Sequence, residues 1–200
     1  MGMLKCAITS GEGWAAVDHS RRWAREGVDF VQLREKEMEA GELVKLAMAM
    51  LAVLRELGST KLLVNGRADV AVAAGADGVH LTSREGELTP EQVREVFRAA
   101  GAGRPVVGVS CHTVEEVRRA AGDVDFILFG PVFEKRVGGV VVVPGTGLEA
   151  LRLACRAAVD VPLLALGGVT EGNAAKCVVA GAAGWAGIRL FGDSLPQSEP

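Results

Sequence analysis

Two hundred residues suffice for one compact domain and are few for a full eight-fold barrel. The chain is 49% hydrophobic but only 4% aromatic, with no tyrosine and 26 glycines. Ala, Val and Leu therefore build the core, which suits parallel strands with tight turns and argues against an antiparallel sandwich. With 22 basic and 25 acidic side chains the formal charge is −3, which excludes nucleic-acid binding by bulk electrostatics.

The elements follow in a regular order. Leu4–Thr9 reads as a first strand, and a helix over Trp14–Glu26 stops at the C-capping Gly27. Phe30–Lys36 is the second strand, and the helix Glu39–Leu57 ends at Gly58. The third strand, Lys61–Asn65, leads to a short helix over Ala68–Ala74, and Gly78–Leu81 is the fourth strand. Thr89-Pro90 caps a helix that runs to Ala100. After the fifth strand, Pro105–Ser110, Thr113 opens a helix with Glu116 three residues on, a capping box. Then come strand six (Phe126–Phe129), a helix over Leu148–Val159, strand seven (Leu163–Leu166), a helix over Glu171–Val179 and strand eight (Trp185–Leu190).

Eight strand–helix units at about 25 residues each predict an α/β fold of the TIM (β/α)8-barrel type over residues 1–200, a single domain. A doubly wound open sheet has fewer strands at this length. Only Gly192–Pro200 follow the last strand, and Pro196 and Pro200 leave no room for a full eighth helix. The trimmed edge between the seventh and first helices exposes apolar surface, so a homodimer is expected. Cys6, Cys111, Cys155 and Cys177 form no C-x-x-C pair, and neither a disulfide framework nor a zinc site is expected. No apolar run reaches the ~18 residues of a membrane span, and the first residues read as a strand, so a cytoplasmic location is expected.

In a barrel the chemistry sits at the C-terminal strand ends. Alternation along the second strand puts Gln32, Arg34 and Lys36 on one face and Val31, Leu33 and Glu35 on the other. Facing the lumen, that row stacks an amide and two cations toward the mouth, a set suited to phosphate oxygens. The alternative is that the cations snorkel to the rim or pair with Glu35. Gly167 and Gly168 after strand seven, with Ile188 and Arg189 in strand eight, match loops that bind phosphate through bare N–H groups. Cations and amides are expected to converge on a single anion. Asn65 orients a substrate or caps the next helix. Ser110 and His112 contact a ring or phosphate, or serve the following helix terminus, while His80 reads as core. Glu85 either reaches the mouth as a metal-binding carboxylate or is a solvated loop acid. Residues 134–147 suit a lid over the mouth, and the run Val140–Val143 fits a short extra strand or a dimer contact equally well.

These residues lie in QLREK (32–36), VNGRADVA (64–71), ADGVHL (76–81), GVSCHT (108–113), FGPVF (129–133), LGGVT (166–170) and NAAKCVVAGAAG (173–184). In this order they resemble the thiamin phosphate synthase/TenI family over nearly the whole chain. The resemblance implies a usually dimeric TIM barrel of thiamin biosynthesis. The synthase joins a hydroxymethylpyrimidine pyrophosphate to a thiazole phosphate through a pyrimidine carbocation, with magnesium drawing off pyrophosphate. TenI-type members are thiazole tautomerases. Carried over, Gln32 faces the pyrimidine and Arg34 and Lys36 the pyrophosphate. Asn65 and Ser110 also match, and Gly168, Ile188 and Arg189 lie at the thiazole phosphate.

Three departures bear on this. Asn65-Gly66 stands where the synthase has an Asn-Asp pair whose Asp holds magnesium, and Glu85 stands for its second metal Asp. Glu134–Gly138 replaces a Pro-Thr-x-Thr-Lys loop. These losses weaken magnesium–pyrophosphate binding by ~2 kcal/mol or more per charge-assisted contact, which tilts the expectation toward a TenI-like member. Pro131, however, stands where tautomerases carry His. A phosphorylated small-molecule ligand is expected either way. The alternatives are a TenI-like tautomerase, a diverged synthase, or a non-catalytic, regulatory phosphate-binding barrel; a sugar-phosphate isomerase lacks a strand-end Glu/His pair.

Overall fold

The computed structural model describes residues 2–84 and 86–188. Its elements are β1 (Leu4–Ile8), α1 (Ala15–Arg25), β2 (Phe30–Leu33), α2 (Ala40–Leu57), β3 (Lys61–Asn65), α3 (Ala68–Ala74), β4 (Gly78–Thr82) and α4 (Pro90–Ala99). There follow β5 (Val106–Cys111), α5 (Val114–Ala120), β6 (Phe126–Phe129), β7 (Lys135–Val137), β8 (Val140–Val143), α6 (Gly147–Ala157), β9 (Leu163–Ala165), α7 (Glu171–Val179) and β10 (Gly184–Gly187). Eight parallel strands close into a ring in the order β1-β10-β9-β6-β5-β4-β3-β2. This is the expected (β/α)8 barrel. The remaining two strands, β7 and β8, pair antiparallel with each other, so the Val140–Val143 run is an extra strand of a hairpin inserted after β6.

A repeated carboxylate fixes the lower end. Asp29, just before β2, accepts a hydrogen bond from the Lys5 N–H of β1 at 2.8 Å. Asp77, before β4, accepts from Leu62 N–H of β3 at 2.9 Å, and Asp125, before β6, from Val107 N–H of β5 at 2.8 Å. Each satisfies a backbone donor near a strand start, and three neighbouring strand pairs, β1/β2, β3/β4 and β5/β6, are thereby tied together. The capping box at Thr113/Glu116 forms as its spacing predicts, and the expected cap at Thr89 proves to be a second box, closed by Gln92.

Strand alternation divides the core in two. Val31 and Leu33 pack outward with the helices, whereas Phe30 joins Cys6, Ile8, Leu63, Phe126, Leu128, Leu164 and Ala186 inside the ring. Phe30 and Phe126 come from diametrically opposed strands and stack across the axis, 4.6 Å apart and 12° from parallel. They floor the lumen, so the mouth above is a basin and not a pore.

Two expected strands are shorter than their patterns. β2 ends at Leu33, not Lys36, because Arg34 N–H turns to the buried hydroxyl of Thr9 (2.8 Å) and leaves the ladder. β10 spans Gly184–Gly187, and the expected residues 189–190 lie outside the described part of the chain. Among the described residues no helix is long and apolar enough to cross a membrane.

Candidate active site

Directly above the aromatic floor, β2, β3, β4 and β5 each present one polar side chain inward: Gln32, Asn65, His80 and Ser110. They pair two by two. Gln32 Nε2 donates to Asn65 Oδ1 at 2.9 Å, and His80 Nε2 lies 2.9 Å from Ser110 Oγ. The first pair leaves an acceptor, Gln32 Oε1, beside a donor, Asn65 Nδ2, an edge complementary to an amino-substituted ring nitrogen heterocycle. His80 is buried, as a core residue should be, yet it is also the partner of Ser110. Burial alone pushes its imidazole down to about 3, so the ring is neutral.

Above β2 the order of side chains differs from strict alternation. Arg34 is half-buried and Lys36 exposed, while Glu35 between them is buried. Glu35 pairs with neither cation: its two oxygens accept from the amides of Gly11 (3.2 Å) and Gly13 (3.0 Å). Both glycines have positive φ, so the β1–α1 loop is turned tightly around this carboxylate. A cavity of about 290 Å3 opens here, lined by Arg34, Lys36, Asn65, Gly66, Arg67 and Glu87 among others. Arg67 is neutralised by Asp69 through contacts of 2.8 and 2.6 Å, which leaves Arg34 and Lys36 as the cations facing the cavity. Sequence reasoning missed Glu87. Its Oε1 accepts from Thr82 Oγ1 at 3.0 Å, and its Oε2 lies 3.6 Å from where a side chain at Gly66 would begin.

On the far side of the mouth the wall is glycine. Gly167 and Gly168 have φ of +87° and +63°, and a Cβ on either would come within 2.5 Å of Pro131 or 2.7 Å of Phe133. Their carbonyls are used, Gly167 O by Phe133 N–H at 3.0 Å and Gly168 O by Asn173 Nδ2 at 2.9 Å. Their N–H groups have no protein partner among the described residues. Between β2 and β9 stand β1 and β10, three inter-strand steps or ~14 Å of wall. The Arg34/Lys36 side and the Gly167/Gly168 side therefore stand on separate stretches of the wall around the mouth.

The remaining expected residues divide. His112 is exposed, with Nδ1 2.6 Å from the Gly130 carbonyl, and so is tied to the β5–β6 side of the rim. Ile188 is exposed just past β10, whereas Arg189 and Glu85 lie outside the described residues. Burial pushes the Cys6 and Cys111 thiols up to about 12, so neither is a thiolate nucleophile.

Fold and site define a (β/α)8 barrel with its polar groups gathered at the C-terminal mouth. The family model described as thiamine monophosphate synthase matches residues 7–191. The thiamine-phosphate synthase of Methanoculleus marisnigri is 39% identical over 184 residues, 90% of this chain and 82% of its own. That of Thermus thermophilus is 37% identical over 188 residues, 91% and 85% of the two chains. Among solved structures, the thiamine phosphate pyrophosphorylase of Pyrococcus furiosus superposes with a TM-score of 0.78 at 26% identity, over 93% of this chain and 85% of that one. The chain belongs to the thiamine monophosphate synthase family.

Proposed function

We propose that this protein condenses an aminopyrimidine carrying a CH2-diphosphate with a thiazole phosphate. The single observation behind this reading is the spacing of the two anion-facing regions, one cationic and one of bare amides, on either side of one polar basin. A ligand pair with a phosphate at each end engages both regions at once. The bond from the pyrimidine CH2 carbon to the diphosphate oxygen breaks, diphosphate leaves with the electron pair, and the thiazole nitrogen bonds to that carbon. In this reading the Gln32–Asn65 edge holds the aminopyrimidine, whose electron-rich ring stabilises the cationic carbon. Arg34 and Lys36 take the charge that builds on the leaving diphosphate. The N–H groups of Gly167 and Gly168 hold the thiazole phosphate, Ile188 and Arg189 are further candidates for that phosphate from the sequence, and His112 closes the rim.

Among the described residues no three His, Cys, Asp or Glu side chains cluster as a metal cage. Glu87, facing the same cavity as Arg34 and Lys36, fits a divalent cation held by one carboxylate and by phosphate oxygens, the usual manner of magnesium. Magnesium bound there supplies further charge neutralisation for the leaving diphosphate. Glu85 is the other candidate carboxylate on this loop.

A second reading, thiazole tautomerisation, uses the glycine-lined region alone, and the bare Gly66 beside the cationic one favours it. Incubation with both substrates and magnesium separates the two. Thiamin phosphate above background supports condensation; isomerisation of the thiazole carboxylate without it supports the tautomerase. Neither product would overturn both readings.

A further inference from the structure

His80 shares the buried lumen with the aromatic floor, over a glycine of β5. Its ring lies 5.7 Å from that of Phe126, and together they occupy the space over Gly108. A Cβ at 108 would stand 2.7 Å from His80 Nδ1 and 2.3 Å from the Phe126 ring. Glycine inside a strand weakens it, and here it admits the Phe126 ring and the imidazole together.

The ring's two nitrogens are in different situations. Nε2 has Ser110 Oγ at 2.9 Å, whereas Nδ1 is buried without a partner among the described residues. A neutral imidazole carries one N–H. On Nδ1 it would be a buried orphan donor, which folded proteins almost never tolerate; a bare Nδ1 lone pair is the lesser loss. The proton therefore sits on Nε2. We infer that His80 is a positioning residue: it donates from Nε2 to Ser110 Oγ and so commits the Ser110 hydroxyl to donating into the mouth, toward a lone pair on the ligand. The same geometry rules out a Ser–His nucleophile, which needs a bare Nε2 to take the serine proton and an orienting partner on Nδ1.

This inference rests on the proposed function for its ligand but not for its geometry, and the test keeps them apart. Long-range 15N–1H spectra of the wild-type protein at pH 7 are expected to show His80 with Nε2 protonated and Nδ1 bare. Calorimetric affinities for inorganic pyrophosphate, the pyrimidine diphosphate and the thiazole phosphate then read the consequence. Ser110→Ala and His80→Leu are each expected to weaken one of these ligands by about tenfold, with no further loss in the double variant. His80→Gln, which offers an amide N–H near the place of Nε2, restores most of it. A protonated Nδ1 overturns the inference, and so do additive losses in the double variant. The stated tautomer with no binding of any of the three ligands overturns the proposed function and leaves the His80–Ser110 geometry standing.

Discussion

Gln32 and Asn65, on adjacent strands, are held amide to amide at 2.9 Å, and each keeps its second amide atom for the basin. Gln32 is buried while Asn65 is only half-buried. The pair thus fixes an acceptor and a donor side by side before any ligand arrives, and the rotamer entropy of two amides is settled by folding. Gln32→Leu is expected to change stability by only ~1 kcal/mol, because Asn65 can turn to water. It should lower kcat/KM for the pyrimidine substrate by roughly tenfold to a hundredfold, the loss of one or two hydrogen bonds at the reacting ring. Steady-state kinetics beside a urea titration checks the contrast; equal losses in both would make Gln32 a structural residue.

Glu35 makes a different prediction from its neighbours. Its carboxylate takes the amides of Gly11 and Gly13, so its removal should loosen the β1–α1 loop and not weaken anion binding directly. In Glu35→Gln one oxygen becomes an NH2 that faces a backbone donor. The expected cost is about 1–3 kcal/mol of stability. Hydrogen exchange at residues 11–13 should quicken, while exchange in α4 stays unchanged. Unaltered exchange at those amides would mean that the loop is held by its glycines alone.

How far the sequence could be read depends on what kind of signal each feature leaves. Alternation and capping are local, so all eight staves, the cap at Thr89 and the capping box at Thr113 were legible in the residues themselves. The end of β2 was not, because it depends on Thr9, twenty-five positions away, drawing off the Arg34 N–H. For the same reason the sequence left an ion pair of Glu35 with its chain neighbours open as an alternative, while its partners are on another loop. Glu87 was invisible because a loop acid has no pattern, and only the bare face of Gly66 shows where it points. The aspartates before β2, β4 and β6 did leave a signal, an Asp directly ahead of each of these strands, readable once the strands are aligned as repeats. The cation row of the second strand and the glycine pair after strand seven were legible, but their places around the mouth are a matter of strand order, which no local pattern encodes.

The buried imidazole of His80 predicts an acid dependence with a definite sign. Its pKa is lowered from 6.5 to about 3 by burial, so between these values the unfolded chain binds a proton that the folded chain refuses. The stability tied to the neutral ring is complete above pH 6.5 and falls as the pH drops toward 3, with a slope of about 1.4 kcal/mol per pH unit from this one group. Urea titrations of the wild type and of His80→Leu between pH 7 and pH 5 isolate it, since the carboxylates contribute equally to both. The wild-type curve should be steeper by about that slope; parallel curves would place the imidazole in water.

Gly168 tests whether the two anion-facing regions are independent. At φ +63°, with Phe133 Cβ 2.7 Å from the position of an added methyl, Gly168→Ala must shift the loop after β9. Backbone strain of this kind costs on the order of 1–2 kcal/mol, small enough for the barrel to survive. The shift moves the free N–H groups, so affinity for the thiazole phosphate should fall by about tenfold or more. Affinity for pyrophosphate should hold, because Arg34 and Lys36 stand three strands away around the wall. Lys36→Ala should do the reverse, weakening pyrophosphate and sparing the thiazole phosphate. Calorimetry on the two variants with the two ligands gives four affinities. If either substitution weakens both ligands equally, the anions share one site and the mouth cannot hold a condensing pair.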